Sequence, residues 1–236
     1  MEDTEKLALV TGGHTGIGRG IAEKLVEAGI DVVICGRNEE KVLKAAVEIR
    51  EAFNGNCLGI PCDVRNRQQV KEMMDLATEM GDAPIDILVN NAGISRFAHI
   101  RELEEDLWDE VISTNLTGPF NIIKAALPHL REGSMIFNIG SISSVVPIAK
   151  GAAYNASKAG LHAMTEAIML DLRSEGIRVC SVLPGSVNTR MEGPDGRAHQ
   201  PWKMEPEDIG QVIADFVKYP PRVMPSRIDI RPTKTR

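Results

Sequence analysis

TGGHTGIG, residues 11–18, sets four glycines within eight positions, directly after the apolar run LALV and directly before the helical pattern IAEKLVEAGI. Glycine loses more conformational freedom on folding than any other residue. A cluster of glycines between two ordered elements therefore marks a backbone that must turn sharply or admit something close. A strand that ends in such a loop and passes at once into a helix predicts the first unit of an α/β sheet. There the helix N-terminus turns unpaired N–H groups and a positive dipole outward, toward an anion.

The same alternation continues along the chain. Apolar runs recur at 7–10, 31–35, 57–62, 85–90, 134–140, 177–183 and 226–230, and helical spacing fills the segments between them. Val42, Ala45, Ala46, Ile49 and Phe53, for example, share one helical face. Strand and helix in regular succession predict a doubly wound α/β fold: a seven-stranded parallel sheet with helices on both faces, in a single domain spanning 1–236. Residues 186–206, SVNTRMEGPDGRAHQPWKMEP, lose all periodicity and read as a long loop of the kind that covers a substrate.

Composition narrows the function. Twenty-seven Lys and Arg against 33 Asp and Glu give a net charge of −6, and the cations are scattered, so nucleic acid is not an expected partner. No apolar run approaches the roughly 18 residues of a membrane span, and the polar start MEDTEK does not resemble a secretory signal. A cytoplasmic protein without a membrane partner is expected. Cys35, Cys57, Cys62 and Cys180 form no CxxC pair and read as buried thiols, with no metal site.

Gly12, Gly16 and Gly18 keep a G-x3-G-x-G spacing that serves the needs of a dinucleotide loop: a turn, close approach of pyrophosphate, and tight helix packing. The second strand should end in the residue that reads the adenosine ribose. That segment is VVICGRNEEK, with Gly36 in place of an acid and Arg37 next. A guanidinium pairs with a 2'-phosphate that a carboxylate would repel, which favours NADP(H) over the alternative, NAD(H). Asp at position 36 with Arg37 removed is expected to shift the preference toward NAD. Farther on, YNASK places Tyr154 and Lys158 four apart on one helical face, where an ammonium would lower the pKa of the phenol. Ser141 follows the fifth strand, Asn115 lies in the helical stretch WDEVISTNLTG, and NNAG, residues 90–93, closes the fourth strand.

TGGHTGIG, NNAG, Asn115, Ser141, YNASK and PGSVNT together resemble the short-chain dehydrogenase/reductase family in its compact form, over essentially the whole chain. The resemblance implies a cofactor site in which Gly12, Gly16, Ile17 and Gly18 meet the phosphates, Arg37 the ribose phosphate, and Asp63 with Val64 the adenine. Asn91, Ala92 and Gly93 would line the crevice, and Val187 and Thr189 would contact the carboxamide and phosphates. Tyr154 would be the acid/base, Ser141 would polarise the carbonyl, Lys158 would hold the nicotinamide ribose, and Asn115 would anchor a relay water. The implied reaction interconverts a small-molecule carbonyl and a secondary alcohol; a catalytically silent NADP-binding sensor or scaffold is the alternative. Ser95, Arg96, Phe97, Val145, Val146, Met191 and Trp202 are expected to shape the pocket. The long helices around 104–131 and 152–175 are expected to pair in a homodimer or homotetramer. His14 and Thr15 depart from the pattern, standing where many NADP-using members carry a basic residue.

Overall fold

The apolar runs become β1 (Leu7–Thr11), β2 (Asp31–Gly36), β3 (Cys57–Pro61), β4 (Ile87–Asn90), β5 (Met135–Ile139), β6 (Arg178–Pro184) and β7 (Arg227–Ile230). The computed structural model describes residues 6–79, 84–189 and 199–234. The seven strands form one sheet in the order β3-β2-β1-β4-β5-β6-β7, every pair parallel. Leu9 lies opposite Val33 on one side and Leu88 on the other, which fixes the register of the central strands. Between β1 and β4 the winding reverses, and in such sheets a ligand crevice opens at the carboxyl ends on either side of that switch.

The helices are α1 (Gly16–Glu27), α2 (Glu39–Phe53), α3 (Arg67–Glu79), α4 (Glu105–Ile112), α5 (Gly118–Ala126), α6 (Ala152–Leu172) and α7 (Pro206–Val217). Because side chains alternate across a strand, the inner strands feed two cores. Ala8, Val10, Ile34, Val89 and Phe137 pack with α1, α2 and α7. Leu7, Leu9, Val33, Leu88 and Ile136 pack with α3, α5 and α6. All four cysteines are buried and unpaired.

Two details position the site. α1 and α7 cross backbone to backbone: a Cβ on Gly20 would lie 2.5 Å from the Pro206 carbonyl carbon, and one on Gly210 would strike the Gly20 carbonyl oxygen. The crossing fixes where the chain re-enters after the long loop. The expected continuous helix around 104–131 is instead broken: α4 passes into a π-helical turn at Ser113–Thr117 before α5, and a 3-10 turn at Leu127–His129 follows. π turns widen the hydrogen-bond register by one residue and occur mostly as short inserts at functional places; this one carries Asn115.

Candidate functional site

The glycine loop is tied down from β4. The Thr11 hydroxyl donates to the Val89 carbonyl at 3.3 Å and accepts the N–H groups of Asn91 and Ala92, both at 3.0 Å. The Asn91 amide donates to the Thr11 carbonyl at 3.0 Å. Gly12 and Gly16 adopt φ of +66° and +55°, a left-handed conformation that L side chains rarely tolerate. A Cβ on Gly18 would strike Asn91 Nδ2, and one on Gly16 would come within 3.3 Å of Thr189 Cγ2. Gly12, Gly16, Gly18, Asn91, Ala92, Gly93 and Thr189 are thus gathered at the carboxyl ends of β1 and β4. Thr11, which the motif reading missed, does most of the joining.

The remaining residues expected around a dinucleotide divide. Ile17 is partly buried against the core. Val187 is buried as well, 7% exposed, packed in the core and bridged to Met204. Val64 is enclosed between Gly118 and the Asn121 amide, which donates to its carbonyl at 3.0 Å. Asp63 gives its carboxylate to Arg65 at 2.6 Å, which holds it below the usual carboxylate range; Arg37, exposed at the end of β2, adds to that lowering. Residues 190–198 of the long loop, Met191 among them, lie outside the described residues.

On the other side of the switch, four polar side chains converge. Ser141 caps the turn that follows β5, its oxygen accepting the Ser143 N–H at 3.1 Å, and its hydroxyl hydrogen-bonds the Tyr154 phenol. Lys158, 4% exposed, donates from Nζ to the Ile139 carbonyl at 2.7 Å. A Cβ on Gly93 would sit 3.2 Å from Asn115 Oδ1 and 3.6 Å from Lys158 Nζ, so loop and amine meet there. Asn115 accepts the Ile94 N–H at 2.8 Å and donates to the Ile94 carbonyl and to Ser157 Oγ at 2.9 and 3.1 Å. Ser157 in turn donates to the Tyr154 carbonyl at 2.8 Å. Beneath them Asn90, Asn138 and Thr165 form a buried chain from β4 through β5 to α6, with bonds of 2.8 and 2.9 Å.

Two electrostatic expectations change. Burial raises the Tyr154 phenol, and the Ser141 hydrogen bond opposes that rise. Lys158 reaches the end of β5, and loss of water pulls it from 10.5 to about 8. Both N–H groups of the Asn115 amide are already committed, so only a lone pair on Oδ1 remains for the relay water expected of it.

The mouth of the site is apolar. The Phe97 ring lies 5.6 Å from that of Tyr154 at 60°, and Ala98 N–H donates to the Lys150 carbonyl at 2.9 Å, clamping the two loops together. Phe97, Val145, Val146 and Ile148 remain exposed around the phenol. Ser95 is buried, and the Arg96 guanidinium folds back onto its carbonyl at 3.0 Å.

A profile described as short chain dehydrogenase matches residues 6–200. An uncharacterized oxidoreductase of Staphylococcus aureus (strain MW2) is 32% identical, over 97% of this chain and 98% of the relative. Among solved structures, an alcohol dehydrogenase from the archaeon Thermococcus sibiricus complexed with 5-hydroxy-NADP superposes with a TM-score of 0.91, at 25% identity over 98% of both chains. A short chain dehydrogenase from Burkholderia cenocepacia J2315 in complex with NADP gives 0.87, at 32% identity over 97% of both chains.

Proposed function

Because the chain belongs to the short chain dehydrogenase family of oxidoreductases, we propose that it interconverts a carbonyl and a secondary alcohol with NADP(H), using Tyr154 as general acid/base. The observation that carries this reading is the convergence of Ser141, Tyr154 and Lys158 beside Gly93, at the crevice that the left-handed glycine loop opens. The loop suits a pyrophosphate, whose oxygens would meet the N-terminus of α1. NADP is supported by the missing acid at Gly36, by the adjacent Arg37 and by the cofactors of the structural neighbours.

When bound, the cofactor supplies or accepts a hydride at the substrate carbon. The protein's part is orientation and proton handling. Ser141 donates a hydrogen bond to the substrate oxygen while its own oxygen is fixed by the Ser143 N–H. Tyr154 gives that oxygen its proton in reduction and removes it in oxidation. Lys158, charged below about pH 8, donates to the nicotinamide ribose and, with the dinucleotide in place, favours the phenolate. Asn115 holds the loop that ends in Gly93 and Ile94, and so keeps the floor of the pocket at a fixed distance from α6. Phe97, Val145, Val146 and Ile148 exclude water from the reacting carbonyl.

Residues 186–206 serve as the substrate lid, its two described ends tied to each other by the Val187–Met204 bridge just before α7 begins. Trp108, Phe120 and Leu170 leave apolar surface on α4, α5 and α6, suited to a homodimer or homotetramer. A silent sensor would need the glycine loop but not a buried lysine beside a tyrosine. NADPH oxidation, screened against ketones, quinones, sugars and acyl thioesters, tests the reading; protein that binds NADPH tightly yet consumes it with none of these classes overturns it.

A further inference from the structure

At the open end of β2 a polar group is left without a partner. Nδ1 of His14 is buried and hydrogen-bonds nothing among the described residues. The imidazole stands up from the glycine loop and lies against Gly36, the last residue of β2. A Cβ at position 36 would fall 2.6 Å from Nδ1 and 2.7 Å from Cε1. Real Cβ atoms do not approach so closely, so this ring position and a side chain at 36 exclude each other. In dinucleotide folds the end of that strand is where an acidic side chain reads a free ribose 2'-hydroxyl. Here the space is filled by a group that can become a cation.

The surroundings are weighted the same way. Burial lowers the imidazole below its usual 6.5, and Lys41, on α2, pushes it in the same direction. Glu39 and Glu40 also begin α2, but Lys41 is the charged group that bears on the ring. Arg37, directly beyond Gly36, bears on Asp63 past the end of β3, and Asp63 is already paired with Arg65. An anion would relieve the imidazole of this cationic field and give Nδ1 the partner it lacks.

Resting on the NADP(H) reading above, we propose that His14 discriminates NADP from NAD: its imidazole bars an acidic side chain from position 36 and, on protonation, becomes a charged donor to the 2'-phosphate beside Arg37. The ring is neutral in the free protein near pH 7.5, and a phosphate beside it raises its proton affinity, so NADPH binding takes up a proton that NADH binding does not. Affinity for NADPH therefore falls with rising pH over the range in which the free ring, lowered by burial and Lys41, is already neutral while the ring beside the phosphate still holds its proton.

The test is direct binding, followed by nicotinamide fluorescence and by calorimetry in buffers of different ionisation enthalpy, with no turnover required. Wild-type protein should bind NADPH in preference to NADH and take up a proton from the buffer on binding it. His14→Ala should weaken NADPH by about tenfold or more, the value of a charge-assisted hydrogen bond, and His14→Gln should flatten its pH dependence, with NADH nearly unchanged in both. Gly36→Ala should weaken NADPH by displacing the ring, and should add little once His14 is already Ala. Gly36→Asp should gain NADH affinity only in the His14→Ala background, which revises the simpler exchange expected from the charge pattern. Equal losses for NADPH and NADH in His14→Ala, or unchanged NADPH affinity and proton uptake, would overturn the proposal. Wild-type protein that binds neither cofactor would instead refute the functional reading on which it rests.

Discussion

Replacing Lys158 by Met separates what the amine contributes to chemistry from what it costs the fold. The side chain is 4% exposed, and the loss of water holds its ammonium at about 8 instead of 10.5. At about 1.36 kcal/mol for each pH unit, that fall destabilises the folded protein by about 3 kcal/mol wherever both states carry the proton. For a base with a lowered folded value, the full penalty applies below about pH 8. It fades between about 8 and 10.5, where the unfolded chain keeps the proton and the folded one gives it up, and it vanishes above. Met fills the same channel without a charge and has no such slope. The variant also loses the 2.7 Å bond to the Ile139 carbonyl, which removes about 1–3 kcal/mol at every pH. Near pH 7 the two effects largely cancel, so the slope is the diagnostic quantity. Wild type should gain about 2–3 kcal/mol on Lys158→Met between about pH 7 and 10, or about 4–12 °C in melting temperature. Urea unfolding of both proteins without cofactor, at matched pH values, reads it directly. Parallel stability curves would show that the amine is not desolvated as the structure has it, and would remove the physical basis for treating it as part of a dry catalytic pocket.

Three further outcomes follow from the same geometry. Tyr154→Phe should lower turnover by about 10²- to 10⁴-fold while NADPH binding stays close to wild type, as measured by steady-state kinetics and fluorescence titration; unchanged turnover would take Tyr154 out of the mechanism. Gly210→Ala, whose added methyl meets the Gly20 carbonyl oxygen and Lys24 Cγ at 2.9 Å, should destabilise by about 1–3 kcal/mol through forced separation of α1 and α7. Calorimetry would show this as a lowered melting temperature, and an unchanged one would mean that the crossing is looser than described. Phe97→Ala, which strips the ring set 5.6 Å from Tyr154, should raise KM for bulky apolar carbonyl substrates and leave KM for NADPH unchanged; an equal effect on both would assign Phe97 to the fold and not to the substrate.

The features legible in the sequence are those that a single element determines. β1 to β6 follow their apolar runs because the inner part of a parallel sheet is covered on both faces, whereas the edge strand β7, RIDI, alternates Arg227 and Asp229 with Ile228 and Ile230; β1, β2 and β6 each extend one residue beyond the run, into Thr11, Gly36 and Pro184. Tyr154 and Lys158 share a face because the helix repeat dictates it. The roles that escaped are set across the sheet. No motif marks the Ile139 carbonyl that holds the Lys158 amine, because that bond depends on how α6 lies over β5. The helix around Asn115 was expected to run unbroken, yet the bonds between Asn115 and Ile94 are made from a π turn, and those bonds belong to the pairing of α4 and α5 with the loop after β4. His14 looked like a departure from the basic pattern because its meaning depends on a residue 22 positions later that has no side chain. The glycine that ends β2 was the available signal. Its missing side chain removes an acid and also opens the space into which the imidazole of the preceding loop fits.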